Sequence, residues 1–136
     1  MRRAYKVRAY PDAEQQAILR RTFGCVRLVW NKTLAERQRR YTTEQRSTSY
    51  KETDAALSEW KKTEDLAFLS DVSSVPLQQT LRHQHAAFSA FFAKRGRYPR
   101  FKNRHGRQSA HYTRSAFRMK TDGLWIAKTT SPLKVK

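Results

Sequence analysis

The sequence predicts an α+β fold: a small sheet built from both ends of the chain, with a bundle of about four helices inserted between its strands. Three observations point there. Residues 1–10 alternate in polarity like a strand, residues 11–95 carry capped segments with helix-spaced apolar positions, and residues 96–136 return to short alternating runs. With 136 residues the chain has the size of one domain. The early strand has no other sheet to join, so it is expected to pair with the late ones. This divides the chain into a first strand (1–10), a helical insertion (11–95), and a basic loop with the remaining strands (96–136).

In "RRAYKVRAY", Tyr5, Val7 and Ala9 point one way and Lys6, Arg8 and Tyr10 the other, as in a half-buried strand with a basic outer face. Pro11 ends it. Asp12 and Gln15 have the spacing of a capping box, so a helix is expected from Ala13 to Phe23, stopped at Gly24 in a left-handed turn. A second helix follows from about Cys25 to Tyr41, with Val26, Val29, Trp30, Leu34 and Tyr41 on one stripe. Arg37, Arg39 and Arg40 fall near its C-terminal end, where cations suit the helix dipole. Two helices joined at a glycine have the pattern of a helix-turn-helix.

The run "SYKETDAALSEWKK" predicts a third helix marked by Tyr50, Leu57 and Trp60. A fourth starts near Ser74, because Pro76 is tolerated only in a first turn. Leu77, Leu81, Phe88, Phe91 and Phe92 form its apolar stripe, with Gly96 as its stop. Beyond the loop, "AHYTRSAFRMK", the turn "TDG", "LWIA" and "LKVK" read as short strands. The last run breaks off mid-pattern, which leads us to expect a part of a longer protein.

Charge bounds the function. The chain carries 29 Lys and Arg against 11 Asp and Glu, a net charge of +18. The excess is +8 over residues 1–50, −3 over 51–72 and +13 over 73–136, so a polyanion is expected to touch both ends of the chain. The densest stretch is "AKRGRYPRFKNRHGRQ", residues 93–108, with seven cations and no acid. Its Arg95, Arg97, Arg100, Lys102, Arg104 and Arg107, with Arg3, Lys6 and Arg8 of the first strand, are the candidate phosphate contacts, expected to converge on one groove. Tyr98 and Phe101 either stack on unpaired bases or pin the loop to the core.

Other chemistries lack their residues. His83, His85, His105 and His111 show no metal-binding spacing, and no metal site is expected. The acids form no cluster suited to Mg²⁺-dependent phosphodiester cleavage, so no catalytic residue is assigned. Cys25, the single cysteine, excludes an intrachain disulfide, fits a reducing compartment, and is read as a small buried residue. The N-terminus has no apolar signal core, and no apolar run approaches membrane-spanning length, so no membrane partner is expected.

In order along the chain, "RAYPDAEQQAILRRTFGCVRLVWNKTLAER", "YKETDAALSEWKK", "FLSDVSSVPLQQTLRHQHAAFSAFF" and "GRYPRFKNR" resemble the N-terminal half of TnpB (OrfB), the transposon-encoded RNA-guided DNA endonucleases. The resemblance covers essentially the whole chain and includes the Trp30-Asn31 pair and the loop from Gly96 to Lys102. It implies a wedge-like β-barrel lobe with a helical recognition lobe inserted after its first strand. It also implies guide RNA and double-stranded DNA as partners, in the cytoplasm of a bacterium or archaeon and on its nucleoid when bound. By position in the family, Tyr50, Ser74, Gln78 and Thr113 would face the motif beside the DNA target, and the cations named above would hold RNA. Cleavage with Mg²⁺ belongs in that family to a RuvC-like domain that follows these lobes. A stand-alone, nuclease-dead nucleic-acid-binding protein, acting as a regulator, is the alternative. The oligomeric state is left open.

Overall fold

Asp12 starts the longest element. In the computed structural model, which describes residues 3–136, its side chain accepts from the Gln15 backbone N–H at 2.8 Å, while Gln15 Oε1 accepts from the Asp12 N–H at 2.9 Å. The expected capping box is therefore present. From it helix α1 runs without a break from Ala13 to Glu44. The two helices expected on either side of Gly24 are one, and the helix-turn-helix break is absent.

The reason is the partner surface. Thr22, Cys25, Val26, Val29, Thr33, Leu34 and Arg37 are buried at unbroken three- and four-residue spacing across the glycine. A helical glycine costs about 1 kcal/mol relative to alanine, whereas each buried Val or Leu contributes about 1.5–3 kcal/mol. Packing therefore carries the helix through. Arg37, Arg39 and Arg40 consequently lie inside α1, not at its end. Arg39 pairs with Glu36 at 2.6 Å, Arg40 bridges Glu36 and Glu52, and Arg37 is buried.

Helix α2 spans Tyr50–Lys62, capped by the Ser49 hydroxyl. Glu52 in its first turn also takes Arg46, so one carboxylate ties α2 to the end of α1. The Arg46 hydrogen bond holds that carboxyl below the usual range. A short 3₁₀ turn, Ala67–Asp71, then plugs Leu69 into the core, with Val72 beside it. Helix α3 spans Ser74–Phe92, with Pro76 in its first turn as expected. It ends at Phe92, short of the expected stop at Gly96, and Lys94 takes a left-handed position (φ 60°). The Arg95 N–H closes this end onto the Ala90 carbonyl at 2.8 Å.

The described residues thus hold three α-helices, not four. Cys25, Val26, Val29, Leu57, Leu69, Val72, Leu77 and Leu81 form the core between them. Phe92, expected on the buried stripe, is 63% exposed, while Thr80 and the fully buried Gln84 take inward positions.

Strand β1 is only Ala9–Tyr10, because Tyr5 and Val7 find no cover and are 79% and 47% exposed. It pairs antiparallel with β4 (Lys134–Val135), as the split-sheet reading expected. Strands β2 (Phe117–Lys120) and β3 (Gly123–Ile126) form a hairpin. Gly123 has φ 137°, and a Cβ there would lie 2.3 Å from the Leu133 carbonyl oxygen, so this close approach needs glycine. A bridge between Leu124 and Leu133 joins the hairpin to the β1–β4 pair. The result is an open strip in the order β2-β3-β4-β1, not a closed barrel. Strands of two to four residues are too short to curl and close. Gln15 clasps this strip to the start of α1: its amide nitrogen lies 3.0–3.1 Å from Ser131 O, Ser131 Oγ and Pro132 O. No described helix is long and apolar enough to cross a membrane.

Candidate nucleic-acid interface

Two side chains in the middle of α1 hold the basic loop by its backbone. Trp30 Nε1 donates to the Arg100 carbonyl at 2.7 Å. Asn31 completes a two-bond bridge, donating to the Lys102 carbonyl at 2.8 Å and accepting the Lys102 N–H at 2.7 Å. The Asn amide here does what a neighbouring strand would do. Lys102 Nζ sits 4.6 Å from the centre of the Trp30 ring. Of the two loop aromatics, Tyr98 is the pin: it packs edge-on against Phe88 and Phe91 at 5.4 and 5.2 Å. Phe101 is 52% exposed and remains available for stacking. Further along, Asn103 accepts the His105 N–H at 3.0 Å, and the Gln108 amide reaches the Gly106 carbonyl at 2.9 Å.

This bracing leaves Arg95, Arg97, Arg100, Lys102, Arg104 and Arg107 exposed. Among the described residues every ion pair falls on Arg39, Arg40, Arg46 or Lys62, so no loop cation is neutralised from within. Asp122, the acid of the C-terminal part, receives the Trp125 indole N–H at 3.1 Å instead. Asn31→Ala should free the loop backbone while leaving the helices intact. The Lys102 amide is expected to lose its protection in hydrogen exchange by about fivefold or more, for a bond worth about 1 kcal/mol or more. Unchanged exchange at Lys102 would show that the bridge does not hold the loop.

A second set of cations gathers at the strip. Lys6 and Arg8 are exposed, and the β1–β4 pairing brings Lys136 to them across a shallow cleft that also includes Val7 and Tyr10. Arg3, also exposed, precedes it in the extended N-terminal segment. The strip is clasped at Gln15 and the loop is held at Asn31. At 1.5 Å per residue these anchor points lie about 24 Å apart along α1. Residues 103–116 link the loop anchored at Asn31 to the strip anchored at Gln15.

The third group lies on α3. Ser74 and Gln78 are exposed one turn apart, and Arg82 continues the row at the next turn. The Arg82 guanidinium covers the Tyr50 ring at 4.8 Å, and His85 meets the same ring edge-on at 6.5 Å. Tyr50, half-buried against the core, thus meets this row at Arg82, its C-terminal member. Thr113 reaches α3 through its own segment. It bonds Ser115 at 3.1 Å in a segment whose His111 packs edge-on against His83, about 100° around α3 from Arg82. Arg82 escaped the sequence reading, although its four-residue step from Gln78 was the available signal. Burial, then His111 and Lys102, pull His83 below the usual imidazole range. Among the described residues no group of three or more His, Cys, Asp or Glu could hold a metal ion.

Residues 1–46 match the model of the OrfB-type helix-turn-helix domain. Over 137 aligned positions the chain is 59% identical to a putative RNA-guided DNA endonuclease of Streptomyces pristinaespiralis, covering 100% of this chain and 34% of that protein. The chain belongs to the TnpB (OrfB) family. It is also 35% identical over 101 residues to the putative RNA-guided DNA endonuclease InsQ of Escherichia coli K12, covering 74% of this chain and 25% of InsQ. It therefore spans about a third or less of these two relatives. A third relative, the virulence protein VsdF of Salmonella dublin, is 34% identical over 116 residues, which are 79% of this chain and 98% of VsdF. In this family member the segment matching the helix-turn-helix domain is a strand end followed by one unbroken helix.

Proposed function

We propose that this chain is the nucleic-acid-gripping portion of an RNA-guided DNA endonuclease, with the loop and strip cations on guide RNA and the Ser74–Gln78–Arg82 row on duplex DNA beside the target. The observation that carries it is the braced loop: six exposed cations, free of internal acid, on a backbone held by Trp30 and Asn31. Holding the loop in place before binding lowers the ordering cost that a free loop would add. Phosphodiester cleavage and its Mg²⁺ are assigned to the nuclease domain that follows these lobes in the family. The direct experiment is to recover the protein from its host and sequence the RNA bound to it. A discrete transposon-encoded transcript is expected, and a profile matching total cellular RNA would count against the reading.

Gln78 is the residue to test for DNA readout, because an amide can bond adenine on both its donor and acceptor edges. In the endonuclease of which this chain is the N-terminal part, Gln78→Ala should shift the preferred target-adjacent base by about 1–3 kcal/mol of discrimination. Overall affinity should change much less. A library selection that returns the same motif would remove Gln78 from the reading.

The match across nearly the whole of VsdF favours a second reading, in which the module works as a nucleic-acid-binding protein without cleavage. The gene sequence beyond Lys136 separates the two: an open frame with acidic nuclease motifs supports the first, a stop codon the second.

A further inference from the structure

An aromatic cavity of about 150 Å³ lies where the end of α1, the end of α3 and the basic loop meet. Arg37, Tyr41, Thr48, Phe88, Phe92 and Tyr98 line it. Two features are unusual for simple packing. First, Tyr41 and Phe92 stand at its mouth 61% and 63% exposed, an apolar surface that nothing in the fold covers. Second, the lining includes a buried cation and an orphaned hydroxyl. Arg37 is 7% exposed and has no carboxylate partner; its guanidinium reaches Gln84 Oε1, the Thr48 carbonyl and His85 Nδ1, which uses three of its five donors. Its carbon lies 5.0 Å from the centre of the Phe88 ring. Thr48 Oγ1 is buried without a hydrogen-bond partner.

A ligand suited to this lining is flat and aromatic, small, and rich in hydrogen-bond acceptors. A cavity of this volume admits one six-membered ring. The exposed cations Arg95 and Arg97 follow directly on the end of α3, so the ligand's attached backbone would be anionic. We infer that the cavity takes one unpaired nucleobase of a bound single strand, stacked against Phe92 and Tyr41, with Arg37 facing its carbonyl oxygens. This rests on the RNA-binding reading above and adds a specific base pocket to it. A second copy of the chain or another protein segment would be drawn by apolar area alone and gives no role to the spare guanidinium donors or to the flanking cations.

The test uses the chain as it is, with a fluorescently labelled oligouridylate of about 20 nucleotides. Base stacking on an aromatic side chain is worth roughly tenfold or more in affinity per base. Tyr41→Ala with Phe92→Ala should therefore weaken binding about ten- to a hundredfold. The slope of log affinity against log salt should stay unchanged, because no phosphate contact is lost. Tyr41→Phe with Phe92→Trp should restore affinity, and both changes are at exposed positions where a melting curve will confirm the fold. Unchanged affinity in the alanine variant, with the unaltered chain binding tightly, would overturn the pocket and leave the RNA reading standing. So would a loss of affinity accompanied by a flatter slope, or self-association of the unaltered chain that the alanine variant abolishes. Failure of the unaltered chain to bind RNA at all would overturn both.

Discussion

Arg95→Ala, Arg97→Ala, Arg100→Ala and Lys102→Ala combined are expected to flatten the salt dependence of RNA binding by about three units, since each phosphate contact on a single strand contributes about 0.7. Between 50 and 200 mM salt, the unaltered chain should then lose about fiftyfold more affinity than the variant. The fold should not be at issue. Trp30 and Asn31 hold the loop through the backbone of Arg100 and Lys102, so alanine preserves all three bonds. Only the contact of Lys102 with the Trp30 ring is lost, an exposed cation–π pair worth about 0.5–1 kcal/mol. A salt titration by fluorescence anisotropy on both proteins decides the matter. Parallel slopes would remove the loop from the phosphate-binding surface.

Gln84→Leu is expected to destabilise the helices by about 3 kcal/mol, which lowers the melting temperature by about 10 °C in a domain of this size. Gln84 is fully buried, donates to the Trp30 carbonyl at 2.9 Å and accepts from Arg37 Nε at 3.2 Å. Leucine fills similar space but strips the acceptor from a buried guanidinium N–H, and that unsatisfied donor on a charged group sets the size of the loss. Removing the cation as well, with Arg37→Met, should recover most of it, so a double-mutant cycle in urea should show coupling well above the error of additivity. A neutral Gln84→Leu would mean that packing alone holds α3 on α1. The same network carries a pH dependence. Burial, and then the Arg37 guanidinium, hold His85 below the usual imidazole range. Unfolding releases it to take up a proton, so its contribution is complete above the unfolded imidazole pKa and is lost as pH falls from there through the lower folded value.

Much of the candidate site was visible as residue types without being visible as a site. The cation run at 93–108 needed no structure to suggest a polyanion, and the Trp30-Asn31 pair stood out beside it. That the pair grips that loop, across 70 residues of sequence, could not be read from either segment alone. On paper Phe101 was the better pin and Tyr98 an even choice between pinning and stacking. Only the position of Phe88 and Phe91 beneath one of them turned Tyr98 into a pin and left Phe101 outside. The cavity edged by Tyr41 and Phe92 gave no sequence signal, because its walls come from three separate elements.

What the sequence determined by itself was local or global, and little in between. The Asp12–Gln15 capping box, the first-turn Pro76, the Asp122-Gly123 hairpin and the net charge each depend on a few adjacent residues or on composition alone. The pairing of first and last strands followed by elimination, since a lone strand must find a partner. Tertiary structure decided everything in which two weak local preferences competed. Gly24 favoured a stop by about 1 kcal/mol and lost to a continuous buried stripe that only the elements packed on α1 could reward. Gly96 offered a helix end, yet the chain turned at Lys94. Tyr5 and Val7 alternated like strand residues, yet they stay in solvent because the strip offers them no cover. Local signals of this kind are worth about as much as one buried methyl group or two, so the packing partner, which the sequence does not name, casts the deciding vote.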